Sequence, residues 1–151
     1  MKLQKRSVAV VVRKAAGGAE FLVVRRPDDP EDPLAGLWGL PAVTLRPDEG
    51  ELAGVLRVGR DKLGVTLTPG ARIGEKSADR GGYRLRLADY EAVLAAGEPR
   101  VPRPDRSVTQ YTACRFTADP SVLAAAAARG SLCAQLVLED NSKKRLAAGE
   151  R

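Results

Sequence analysis

The feature that most constrains this chain is a five-residue apolar run, Val8 to Val12, with four of its residues β-branched. It does not alternate with polar residues, so it reads as a strand buried on both faces. Ala15 to Ala19 supplies two glycines for a hairpin turn, and Phe21 to Val24 is the returning strand. A Pro/Asp-rich loop follows from Arg26 to Pro33, then a short extended segment from Gly36 to Pro41. Pro47 to Gly50 turns into a helix over 50–63, with Leu52, Val55, Leu56 and Leu63 expected to bury one side and Gly64 to stop it. Strands are expected at 71–78, 83–87 and 110–116, and the loop from Gly97 to Arg106 carries Arg100, Arg103 and Arg106. Asp119 caps an Ala-rich helix that runs to Arg129, a short helix covers 131–139, and Asn141 to Arg151 is a polar tail. The expected organisation is one domain over 1–140 and a tail over 141–151.

Composition narrows the chemistry. The 151 residues include no histidine, which removes His-based triads, His-ligated metals and His general bases. Two cysteines, Cys114 and Cys133, make neither a disulfide framework nor a four-ligand zinc site. Without a histidine to activate it, Cys114 is not expected to be a nucleophile. No apolar run approaches the ~18 residues that span a bilayer, and Val8 to Val12 is too short for a signal-peptide core. The chain is therefore read as cytoplasmic, with no membrane partner. Its 25 basic against 19 acidic residues give +6, which attracts anions generally or simply maintains solubility.

The segment from Gly36 to Val65 is the informative one. Gly36-Leu37-Trp38-Gly39-Leu40-Pro41-Ala42-Val43 resembles the lead into the Nudix box. In that superfamily the box reads Gly-x5-Glu-x7-Arg-Glu-U-x-Glu-Glu-x-Gly-U, where U is a bulky apolar residue. Without a gap, this chain places Val43, Glu49, Arg57, Val58, Gly59, Asp61, Lys62, Gly64 and Val65 on the named positions. Trp38, Leu40, Pro41, Glu49, Arg57, Gly64 and Val65 match, and Asp61 is a shortened match. Ala42-Val43, Val58 and Lys62 depart from the pattern. The resemblance implies an α/β fold, the Nudix α/β/α sandwich around a mixed sheet.

Nudix hydrolases cleave nucleoside diphosphates linked to another group, using divalent ions held by carboxylates on the box helix. Positions 58, 61 and 62 stand at i, i+3 and i+4 and are expected to share one face. Here that face is Val58, Asp61 and Lys62, and its charge by residue count moves from about −3 to about 0. Magnesium requires hard oxygen ligands, so Asp61 alone would hold it weakly. No cofactor is expected unless ligands come from outside the box. Asp48, Glu49, Glu51, Glu75 and Glu91 are the carboxylates available for that alternative.

The resemblance puts Glu49, Arg57 and Asp61 at catalytic positions. Each also has a structural reading: Glu49 as a helix-start or scaffold acid, Arg57 as its salt-bridge partner, Asp61 as a solvated residue. Lys62 is either an exposed helix lysine or an ammonium in the metal's space, facing a phosphate. Trp38 stacks on a base or packs in the core. Lys76, Arg80, Arg84 and Arg86 are candidate anion ligands if their faces line the cleft, and solvated charges if not.

Three functions follow. The first is a Nudix-fold protein that binds a nucleotide-like or phosphorylated ligand, with impaired or absent magnesium-dependent diphosphate hydrolysis. The second is an active hydrolase of a nucleoside diphosphate derivative, with metal ligands from outside the box. The third is a nucleic-acid-binding module, against which the 4% aromatic content weighs. The expected partner is a small anionic ligand rather than nucleic acid, and a homodimer is compatible with this reading.

Overall fold

Strand β1 (Leu3–Arg13) is longer than the apolar run, because the basic lead-in from Leu3 is also paired. It runs parallel to β6 (Tyr83–Ala96) from Leu3↔Tyr83 to Arg13↔Val93 and antiparallel to β4 (Ala42–Thr44). Strand β5 (Thr66–Asp79) lies antiparallel to β6 and completes a mixed sheet of order β4-β1-β6-β5. A second, antiparallel sheet has the order β3-β2-β7, from β2 (Phe21–Arg25), β3 (Trp38–Gly39) and β7 (Ala113–Thr117). The computed structural model describes residues 3–101 and 111–149. Arg103, Arg106 and Gln110 lie outside them.

Both faces of β1 are covered. Val8, Val10 and Val12 pack with Val55, Val58 and Leu63 of the box helix in one core. Ala9 and Val11 pack with Leu123, Ala126, Leu132 and Ala134 in the other. Apolar side chains therefore pay off at every position of the run, and the layering is α/β/α.

The box helix departs from the expected register. Helix α1 (Glu51–Arg57) continues as a π-helical stretch over Val58–Leu63, closed by Gly64 in the left-handed region at φ 67°. Its buried residues are Gly54, Val55, Arg57, Val58, Gly59, Lys62 and Leu63. Leu52 and Leu56, expected inside, are 54% and 45% exposed. Gly54 sets this orientation. A Cβ there would stand 2.3 Å from Leu45 and 2.9 Å from Val8, so the helix docks on its glycine and turns Leu52 and Leu56 outward. The wider π turn brings Leu63 back to the core.

At the other end, Asp119 accepts a bond from the Ser121 amide at 3.0 Å, as expected of a cap. A 3-10 turn (Pro120–Leu123) leads into α2 (Ala124–Ala128). Helix α3 (Leu132–Ala147), capped by Ser131, is longer than expected. Residues 141–147, read from sequence as tail, continue it. They are polar because almost all of that turn faces water, not because the backbone stops being helical.

Candidate functional site

The loop before α1 is held by one residue pair. Arg57 donates from Nε to Glu49 Oε2 at 3.0 Å and from Nη2 to Glu49 Oε1 at 2.8 Å. Nη2 also reaches the Thr44 carbonyl at 2.7 Å, and the Arg46 amide donates to Glu49 Oε1 at 3.1 Å. Arg6 donates to the Glu49 carbonyl at 2.9 Å. Hydrogen bonds from Arg57 hold the Glu49 carboxyl down at about 2, against the opposing effect of burial. The same partner raises Arg57. Both side chains are 90% buried, and their hydrogen-bonding groups are spent on each other and on the loop. The pair thereby ties the loop before α1 to the end of the helix.

The remaining box positions differ in burial. Val58 is fully buried in the core under β1. Asp61 is half-buried and accepts from Arg60 Nε at 3.2 Å. Lys62 is buried, with Nζ 5.5 Å from the centre of the Tyr111 ring, so it is not the exposed helix lysine of one sequence reading. Burial, and then the charges of Arg57 and Arg26, push its pKa down, while Asp61 opposes them. Tyr111 is itself fixed by the Ala42 amide, which donates to its Oη at 3.0 Å.

A magnesium ion does not fit these residues. One box carboxylate remains beside a buried ammonium, and a sealed valine holds another ligand position. Among the described residues no three Asp, Glu, His or Cys side chains are grouped to hold a metal. Of the candidate outside ligands Asp48, Glu49, Glu51, Glu75 and Glu91, all but Asp48 have cationic partners among the described residues. Glu49 is held by Arg57 and Glu51 by Arg72 at 3.0 Å. Glu75 is held by Arg72 at 2.6 Å and Arg86 at 2.9 Å, and Glu91 faces Arg13 and Lys144.

A cleft of about 410 Å³ opens on the other side of β1. Leu34, Leu37, Trp38, Leu40, Leu85 and Leu87 give it apolar walls, and Lys5, Arg26, Arg80 and Arg129 give it cations. Trp38 and Arg80, both singled out in the sequence, are thus brought together. The Arg115 guanidinium lies 4.6 Å from the Trp38 ring centre. Lys76, Arg84 and Arg86 are not brought to this cleft. Lys76 bonds Gln135 at 3.2 Å and pairs with Glu139. Arg84 and Arg86 are exposed beside Gln4, Glu75 and Ser77 in a separate, shallow patch. Period-two alternation showed that the two arginines share a face, but which face is open depends on the layers above and below.

Sequence reasoning missed Lys5, Arg26 and Arg129 because single basic residues at a strand start, a loop start and a helix end carry no signal of convergence. It also passed over Asp89. This acid is fully buried on β6, and neither carboxyl oxygen has a hydrogen-bond partner. Burial pushes its pKa up to about 9, so it is a neutral acid at pH 7.

No protein-family model matches the chain, and no curated protein matches it by sequence. Solved structures do. A NUDIX hydrolase from Nitrosomonas europaea superposes with a TM-score of 0.68 at 18% identity, over 98% of this chain and 91% of that one. The MutT protein from Methanosarcina mazei Go1 gives 0.64 at 19%, over 95% and 97%. The NUDIX domain of Shewanella oneidensis NrtR, a structure complexed with ADP ribose, gives 0.61 at 20%, over 97% and 90%. The chain has the Nudix fold, an α/β sandwich around a mixed sheet. No helix of the described residues is long and apolar enough to cross a membrane.

Proposed function

We propose that this Nudix-fold chain binds a nucleotide-like or otherwise phosphorylated small molecule in the Trp38 cleft and lacks magnesium-dependent diphosphate hydrolysis. The observation that carries the reading is the fate of the box helix: Val58 is sealed in the core and Lys62 is a buried cation, while the cleft keeps an aromatic wall and a basic lining. A site without clustered carboxylates lacks what magnesium needs to polarise a phosphoryl oxygen and generate hydroxide. The chain's own residues still supply binding. Trp38 offers a flat apolar face, the leucines exclude water, and the cations attract the anionic part of the ligand.

The ADP-ribose-bound relative supports this ligand class and suggests the first probe. Calorimetric titration with ADP-ribose in EDTA is expected to show saturable binding. Chromatography after incubation with millimolar magnesium is expected to show the nucleotide intact. Metal-dependent cleavage to AMP and ribose phosphate would overturn the non-hydrolytic reading in favour of an active enzyme drawing its metal ligands from outside the box.

A further inference from the structure

We propose that Lys5, Arg80 and Arg129 form a phosphate-binding subsite of the cleft, on the opposite face of β1 from the box helix and independent of a metal. The proposal rests on reading the cleft as the ligand site and adds where the ligand's anionic part is held.

The first ground is charge. Among the described residues, the cleft lining has four cations and a single carboxylate, Asp32. That carboxylate is committed to Arg26, whose Nε donates to its Oδ2 at 2.7 Å, and to the Leu34 amide at 2.9 Å. The lining is therefore left at +3, half the net charge of the whole chain, at one concave surface. Concave surfaces walled by apolar groups focus such a field.

The second ground is the partners of the three cations. Elsewhere Arg57, Arg72, Lys76, Arg86 and Lys144 pair with carboxylates, while Arg6 and Arg25 donate to backbone carbonyls. Lys5, Arg80 and Arg129 have no ion pair with a described carboxylate. They are positioned by groups that leave their charge intact. Lys5 Nζ lies 4.3 Å from the centre of the Tyr83 ring. Arg80 Nη2 donates to the Gly130 carbonyl at 2.8 Å, and Arg129 Nη1 to the Pro33 carbonyl at 3.3 Å. Each arginine contacts one carbonyl in this way and has five N–H donors in all, arranged in a fork that matches phosphoryl oxygens. All three residues are solvent-exposed and so within reach of a phosphate arriving from solution.

The third ground is orientation. Lys5 and Ser7 stand on the face of β1 that continues into Ala9 and Val11, under α2 and α3. Val8, Val10 and Val12 face the box helix. Phosphate attraction on the α2–α3 side therefore does not depend on Asp61 or on any metal near it.

The test uses the full chain in EDTA, with ADP, pyrophosphate and adenosine as calorimetric probes. ADP and pyrophosphate are expected to bind and adenosine to bind much more weakly. Lys5→Met, Arg80→Met and Arg129→Met should each weaken ADP by about tenfold or more, the usual effect of losing a charge-assisted bond to phosphate. Lys62→Met, on the box-helix side of β1, should change ADP affinity less than about twofold. Circular dichroism identifies any variant that fails to fold, and 0.5 M salt on the natural chain then provides the same charge test by screening. Unchanged ADP affinity in all three methionine variants, or in high salt, overturns the subsite while leaving the cleft as the ligand site. If none of the three probes binds, the reading of the cleft itself fails.

Discussion

Removing Arg57 tests whether the Glu49–Arg57 pair is scaffold or chemistry. In the folded chain the Glu49 carboxyl sits at about 2 rather than its ordinary 4.5, chiefly through hydrogen bonds from Arg57. At 1.36 kcal/mol per unit, that difference is about 3 kcal/mol of stability at pH 7. Breaking a buried pair from one side leaves the other charge stranded, which costs about 3–5 kcal/mol. Arg57→Met and Glu49→Gln should therefore each destabilise by roughly 3 kcal/mol, and a double-mutant cycle should return a coupling of about that size. The pH dependence has a definite sign. A depressed carboxyl stabilises fully above 4.5 and loses its effect as pH falls from 4.5 to 2. The gap between the natural chain and Glu49→Gln should thus shrink to about 1.4 kcal/mol at pH 3. Urea titrations at both pH values measure it. A coupling under about 0.5 kcal/mol, or an equal gap at the two pH values, would refute the scaffold argument.

Leu63→Ala should cost about 2–5 kcal/mol and Leu56→Ala less than about 0.5 in the same titration, since Leu63 is fully buried and Leu56 is 45% exposed. Equal costs would mean that the helix docks in another register. Asp89 is protonated in the fold with a pKa raised from 3.8 to about 9, so its neutral form stabilises fully below 3.8 and the effect is lost as pH rises toward 9. Asp89→Asn should remove that part of the slope, making the variant lose less stability than the natural chain between pH 6 and pH 9; parallel slopes would contradict it. Val58→Glu with Lys62→Glu restores the box letters but buries a carboxylate at Val58, which should lower stability in EDTA by on the order of 3 kcal/mol or more. Thermal melts in EDTA and in magnesium separate the two effects, and a double variant as stable as the natural chain in EDTA would show that position 58 opens to solvent.

What the amino-acid order determined by itself was local and periodic. Val8 to Val12 announced a doubly covered strand because an unbroken apolar run has no wet face to offer. Asp119 announced the start of one helical segment, and Gly64 the end of the box helix, because a cap and a left-handed glycine act within a few residues. The spacing from Trp38 to Val65 likewise carried the fold resemblance and the missing carboxylates. The tertiary structure decided everything that depends on close approach. Gly54 is the docking point of α1 only through its approach to Leu45 and Val8, which periodicity does not encode, so periodicity alone puts Leu52 and Leu56 inside. The same docking seals Val58 and buries Lys62. Lys5, Arg26, Arg80 and Arg129 are far apart along the chain and meet only because β1 pairs in parallel with β6 while the α2–α3 turn folds back over them. Charge acts through space, and sequence spacing carries no record of a meeting made by folding.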